Sequence, residues 1–321
     1  MKANNVCIIG KMAPPIGGVT IYTSRLVEYF GKFPEVKFLP LEFHNIWLII
    51  QSCAKTKIIH LNTSNPKVRV LFALLCFLFR SRLIITYHGN LGRFNFLNNW
   101  LDNISILLCK YPVVLNENSF RVALRYNSNT KLISSFIPPV KEEALAPKYR
   151  DRIITFRSKG LVLVCTNAYN VSFDKNGSEI YGITDLIRCI IRLPKFKLII
   201  SDPSGKYQEF IQSKNSAFAD SVFWISEPHN FCEVLKLSDF FVRNTTTDGD
   251  SLSIHESLYF GTPVLATGIV SRPKGCIIYN NMSELGENLM NYLKISNSFQ
   301  VLNNDYNSVE KIQKLYFNNS E

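Results

Sequence analysis

Short continuous apolar runs recur along the chain, separated by longer stretches in which apolar residues return every three or four positions. In the first half the runs predict strands at 6–10, 36–40, 57–61, 82–87, 112–115 and 131–136, and the periodic stretches predict helices near 19–30, 66–79 and 97–110. A strand covered on both faces loses its polar alternation, so such runs alternating with helices predict βαβ units and a mostly parallel, doubly wound sheet. Pro138-Pro139 ends this pattern, and the charged, weakly periodic stretch 141–158 reads as a linker. The pattern restarts at 160–165, with further strands at 196–201, 221–225, 239–243, 263–267 and 275–279. Helices fall at about 182–193, 205–217, 229–238, 253–260 and 283–294. The expected organisation is α/β: a Rossmann-like domain at 1–140, a second at 159–300, and a tail at 301–321. The spacing of Val309, Ile312, Leu315 and Tyr316 predicts a tail helix, packed across the domain junction.

The 321 residues suffice for two cores of about 150 residues each. Eight cysteines lie in apolar runs without a CxxC pair and read as buried thiols of a reducing, cytoplasmic compartment. No signal peptide is evident. The longest apolar run, Val70 to Phe79, has ten residues, where a bilayer crossing needs about 20. Arg69, Arg80 and Arg82 flank it, so it reads either as a buried helix or as a membrane-surface element. The net charge of +11 points to an anionic partner. No aromatic-basic module supports nucleic acid.

The candidate chemistry concentrates at Thr247–Pro263, TDGDSLSIHESLYFGTP. Asp248 and Glu256 bracket a polar loop that turns into a helix, which Gly261-Thr262-Pro263 stops before a buried strand. This layout holds hydroxyls and anions at the edge of a parallel sheet. Carboxylates suit vicinal diols, since each accepts two hydrogen bonds. Glu256 has a rival reading, because Ser253 and Glu256 fit a capping box. Asp250, Ser251 and Leu252 complete the helix start. Asp248-Gly-Asp250 is also a D-x-D pair, but a cation-lined phosphate site does the work of a metal, and no metal or other cofactor is expected. Gly17 and Gly18, between the first strand and helix, read as a phosphate-approach turn or as a plain tight turn. His88, Asn90, Asn116 and Glu117 end strands and so fall at the ligand edge; for His88 a packed turn histidine is the rival. Arg272 and Lys274 follow the strand after Glu256, as phosphate cations or as a surface turn.

These residues carry a likeness. With Gly17-Gly18, Tyr87-His88-Gly89 and Asp248 through Glu256 followed by LYFGTPVLAT, the chain resembles the retaining, nucleotide-sugar-dependent glycosyltransferases of family 4, above all bacterial O-antigen and capsule enzymes. The resemblance implies two facing Rossmann-like domains, the glycosyltransferase B fold. It places Asp248, where the family usually has Glu, beside the donor hexose and Glu256 on the nucleotide ribose. It places Gly17 and Gly18 near the donor phosphates, and His88 in the pocket. The family's Arg after the first strand of the second domain, and its Lys-Gly before the next helix, are missing: Cys165-Thr-Asn167 follows the strand and Tyr181-Gly182 precedes the helix. Lys175, or Arg272 with Lys274, must compensate; otherwise the chain is a non-catalytic sugar- or nucleotide-binding partner. The implied acceptor is a glycan on a polyprenyl diphosphate carrier, worked on at the anionic inner face of the cytoplasmic membrane.

Overall fold

The structure is a computed structural model that describes residues 3–140, 143–174, 176–214, 222–291 and 307–317. The chain divides into two compact units, Met1–Val140 with Asp305–Glu321, and Lys141–Asn304.

The first unit is built on a six-stranded parallel sheet in the order β2-β1-β3-β4-β5-β6. Its strands are β1 (Ala3–Gly10), β2 (Val36–Pro40), β3 (Thr56–Asn62), β4 (Arg82–Tyr87), β5 (Tyr111–Val114) and β6 (Lys131–Leu132). The helices are α1 (Gly18–Phe30), α2 (Ile46–Lys55), α3 (Pro66–Leu78), α4 (Phe96–Leu108) and α5 (Glu117–Leu124). Strand period two separates two cores. Cys7, Ile9, Ile59 and Ile85 face Ile49 of α2, Phe72 of α3 and Ile106 of α4. Val6, Ile8, Ile58 and Ile84 face Tyr22 and Leu26 of α1, joined by Ile312 and Tyr316 of the last helix, α12 (Ser308–Phe317). The tail helix therefore belongs to the first unit and packs on the same sheet face as α1. Tyr316 lies 2.5 Å by its hydroxyl from Nδ1 of His60, whose pKa burial pushes down to about 3.

The second unit repeats the plan, with order β12-β11-β10-β7-β8-β9. Its strands are β7 (Val162–Asn167), β8 (Phe196–Ser201), β9 (Val222–Ile225), β10 (Phe240–Arg243), β11 (Val264–Thr267) and β12 (Cys276–Tyr279). The helices are α6 (Pro147–Ser158), α7 (Ile183–Ile190), α8 (Lys206–Lys214), α9 (Phe231–Lys236), α10 (Leu252–Tyr259) and α11 (Met282–Met290). Residues 215–217 and 292–294, expected to continue two helices, lie outside the described residues, as does position 221 at the expected start of a strand.

The expected linker 141–158 contains α6. Its charged side chains are exposed, while Ile153 and Phe156 bury against Leu163 and Val264, so a short apolar stripe was hidden among charges. Helices α2 and α5 were likewise unassigned. The expected strand 131–136 contracts to Lys131–Leu132 because β6 is an edge strand paired only with the short β5. Asparagines start many of the helices: Asn65, Asn95, Asn116, Asn230 and Asn281 each accept a first-turn amide, a cap worth about 1 kcal/mol. No disulfide joins any of the eight cysteines, and burial pushes Cys165 up to about 12.

Candidate active site

In each unit the parallel strands deliver their C-terminal residues to one edge, where side chains escape the apolar core. In the second unit that edge carries Asn167 at the end of β7, Arg243 at the end of β10 and Thr267 at the end of β11.

Asp248 is the hub. Arg243 donates to it from Nε (3.0 Å) and Nη2 (3.3 Å), a bidentate pair. Arg272 donates from Nη1 at 2.9 Å, and the Gly249 amide at 3.1 Å. Burial raises the Asp248 carboxyl, but Arg243 and then Arg272 outweigh it and hold the pKa below the ordinary carboxylate value. Arg272 also donates to the Thr267 carbonyl (2.9 Å), and its side chain is 2% exposed against 12% for Arg243. Arg272, expected at an open edge, is therefore buried behind Asp248, and Arg243 is the more open cation. Arg243 reaches Asn167 Oδ1 at 3.2 Å and lies 5.3 Å from the centroid of the Tyr181 ring.

Two of these contacts fall where the resemblance called for cations. Asn167 closes β7, within the stretch 165–167 where the family's Arg is expected, and Tyr181 precedes Gly182; both touch Arg243. Gly182 has φ +54°, and a Cβ there would meet Asn244 Nδ2 at 2.3 Å. A glycine is thus demanded by close approach of the loop to Asn244, which donates to the Gly182 carbonyl at 2.8 Å. Glu179 accepts from the Thr184 amide and hydroxyl and so caps α7.

Helix α10 begins at Leu252 with Ser251 as the N-cap residue, before the Ser253 of the capping-box reading. Ser253 lies inside the helix, its hydroxyl 3.1 Å from that of Ser251, so the capping-box reading of Ser253 and Glu256 does not hold. Glu256 is buried on the first turns of the helix. Asp250 contacts His255 Nε2 at 2.5 Å, separate from the Asp248 cluster. Gly261, at φ +78°, ends α10, and Thr262 donates back to the Ser257 carbonyl at 2.9 Å. Lys274 lies in the turn before β12, and Lys175 lies outside the described residues. Among the described residues no group of three or more His, Cys, Asp and Glu is arranged to hold a metal ion.

In the first unit the same edge carries Asn62 and His88. His88 is buried, with its ring 5.0 Å from Tyr22 edge-on and Nε2 3.4 Å from Asn62 Oδ1. Burial, then the charges of Arg69, His60 and Arg93, push it down to about 3, so the imidazole is neutral at physiological pH. Asn116 donates to Asn90 at 2.9 Å and accepts from the Ser119 amide at 2.9 Å, while Glu117 is exposed at the start of α5. The Gly17 amide donates to Thr20 Oγ1 at 3.0 Å, whereas Gly18 opens onto space.

Arg243 and Arg93 carry no motif of their own in the sequence, nor does the pair Ser201–His229, joined at 2.8 Å between the last residue of β8 and the loop after β9. The usable signal was a polar residue closing an apolar run, as in Arg243 after Phe240-Phe241-Val242.

No protein-family model matches the sequence, and no curated protein sequence matches it. Solved structures do. Anabaena HepE (Alr3699) in complex with UDP and glucose is 13% identical, spans 97% of this chain and 99% of its own, and superposes at TM-score 0.69. WaaG, a glycosyltransferase involved in lipopolysaccharide biosynthesis, is 11% identical over 97% of this chain and 99% of its own, at TM-score 0.65. A putative UDP-N-acetylglucosamine 2-epimerase from Listeria monocytogenes is 12% identical over 99% and 98%, at TM-score 0.64. At such identities the likeness is one of architecture, and the chain has the glycosyltransferase B fold of two Rossmann-like parallel-sheet units.

Proposed function

We propose that the chain is a retaining glycosyltransferase, of the family 4 type, that moves a hexose from a nucleoside-diphosphate sugar to a glycan carried on polyprenyl diphosphate. Its setting in this reading is surface polysaccharide assembly (O-antigen or capsule) at the cytoplasmic membrane face. The observation that carries the reading is the Arg243–Asp248–Arg272 cluster at the C-terminal edge of the second sheet. Two guanidiniums against one carboxylate leave this cluster itself with net positive charge, beside the start of α10. Arg243, the more open of the two, meets the donor diphosphate, and Arg272 fixes Asp248 behind it. Glu256 accepts from the ribose hydroxyls and Asp248 lies toward the hexose. UDP and glucose bound to HepE, and the polysaccharide role of WaaG, support the same class.

In the reaction, the bond from the anomeric carbon to the β-phosphate oxygen breaks and a bond to the acceptor oxygen forms on the same face. The acceptor proton passes to the departing phosphate, so no protein nucleophile is required. Negative charge grows on that phosphate, where Arg243 and the helix-end amides stabilise it. The neutral His88 adds no repulsion to a cationic sugar centre. The burial of Arg272 and the engaged Gly17 amide favour one rival, a non-catalytic nucleotide-binding partner on the same fold. The test is a panel of nucleotide sugars with the purified protein and lipid-linked or sugar acceptors. Nucleoside diphosphate release with an α-configured product from an α-configured donor is expected. Binding without release for every donor supports the rival, and an epimerised nucleotide sugar would replace transfer altogether.

A further inference from the structure

The solvent side of α2, α3 and α4 does not look like the solvent side of a globular protein, where charged and polar residues face water. On α3 the outward stripe is Leu71 (49% exposed), Leu74 (53%), Phe77 (69%) and Leu78 (72%), while Phe72, Ala73 and Cys76 fill the core. On α4 it is Phe96, Leu97, Trp100 and Leu107, with Trp100 53% exposed. The three-residue 3₁₀ turn Phe43–Asn45 and α2 add Phe43 (89%) and Trp47 (69%). The three helices pack on the same sheet face and share one core. The only charges within α2, α3 and α4 are Lys55, Lys67, and the buried pair Arg69–Asp102 at 2.8 Å. Apolar area on this scale marks an interaction surface.

Its rim identifies the partner. Residues 43–110 contain eight lysines and arginines and a single acid, Asp102, which Arg69 consumes. At the C-terminal ends of α3 and α4 lies a depression of ≈ 510 Å³, lined by Arg80, Arg82 and Lys110 and edged by Phe77 and Leu107. Cations beside protruding aromatic and leucine side chains match a bilayer interface: anionic headgroups outside, acyl chains beneath, tryptophans at the boundary. A second copy of the chain would bring one basic rim against another. No described helix is long and apolar enough to cross a membrane.

We infer that the α2–α3–α4 face is a docking surface for an anionic phospholipid bilayer. Phe43, Trp47, Phe77 and Trp100 enter the acyl boundary, and the Arg80–Arg82–Lys110 depression seats a lipid phosphate. This deepens the membrane setting of the proposed function and names the surface that serves it.

The test is flotation of the full chain with vesicles of phosphatidylcholine alone or mixed with phosphatidylglycerol. The expected result is binding at least about tenfold tighter to the phosphatidylglycerol mixture. Trp47→Ser/Phe77→Ser/Trp100→Ser is expected to lose at least about tenfold in vesicle affinity, and Arg80→Glu/Arg82→Glu to lose the preference for phosphatidylglycerol. A readout without surface disruption is fluorescence quenching by brominated acyl chains in a Trp224→Phe chain, which keeps only the two tryptophans of this face. Quenching of that emission supports the assignment. Unquenched emission on bound vesicles, no preference for phosphatidylglycerol, or a dimer abolished by the triple variant without vesicle binding would each overturn it. The enzyme reading fails separately: vesicle binding without nucleoside diphosphate release leaves the docking face standing, and release without vesicle binding removes it.

Discussion

Two buried arginine–aspartate clusters, one in each unit, serve opposite ends. Asp102 is held by Arg69 between α3 and α4, while Arg69 donates twice more to the Thr63 carbonyl and lies 4.7 Å from the Tyr87 ring. It is sealed from solvent where α3 and α4 meet the C-terminal ends of β3 and β4, with side chains only 2% and 3% exposed. Asp248 is held by two arginines at the edge itself. The titration directions differ accordingly. For Asp102, burial outweighs its bonded Arg69 and the charge of Arg93 and raises the pKa; for Asp248, Arg243 and Arg272, both hydrogen-bonded to it, outweigh burial and lower it. A saturated pair inside a layer fastens helices together. A cluster with more guanidinium than carboxylate, at a strand end, retains attraction for an anion.

The largest effect that separates the two is on stability. Asp102→Ala leaves Arg69 charged and buried and is expected to cost about 3–5 kcal/mol of unfolding free energy, measured by denaturant titration, with nucleotide affinity unchanged in the folded fraction. Arg243→Ala is expected to do the reverse: turnover falls about 100-fold, while stability moves less, because Asp248 keeps Arg272. Equal losses of stability in the two variants would erase the distinction.

Acid resolves the clusters further. A carboxyl lowered by folding contributes stability that is fully present above the unfolded value, about 3.9, and lost as pH falls through the folded one. Asp248 therefore protects the second unit down to that range, and Asp102, raised, has the opposite sign. Hydrogen exchange followed on lowering pH below 4 should show α10 and its flanking loops losing protection as Asp248 takes up its proton, with Asp248→Asn removing the pH dependence. The smallest expected effect is that of a chelator. With guanidiniums at the diphosphate, turnover should persist in EDTA; loss restored by manganese or magnesium would reassign Asp248 and Asp250 as metal ligands.

The strands were legible because parallel strands covered on both faces are written as unbroken apolar runs, as in Leu198-Ile199-Ile200. The helices that escaped were of two kinds. In α2 the run Ile46–Ile50 has no periodicity to mark it, and in α6 the charges of Arg150, Asp151 and Arg152 hide Ile153 and Phe156. The site was half legible. Asp248 and Glu256 lie in one segment with glycines and a helix stop around them. Arg243, Asn167 and Tyr181 come together only when β10 pairs with β7 and the loop before α7 folds over Asn244. Ser253 looked like a cap because the pattern S-x-x-E is local, whereas the fold starts α10 after Ser251.

The central claim, that the edge of the second sheet holds a nucleoside diphosphate through Arg243, is tested most directly by calorimetric titration of nucleoside diphosphates and their parent nucleosides into the wild type and Arg243→Ala. At least one diphosphate is expected to bind the wild type, with Arg243→Ala weakening it by at least about tenfold and the nucleoside affected far less. Failure of every diphosphate to bind, or equal diphosphate affinity in the two proteins, would contradict it.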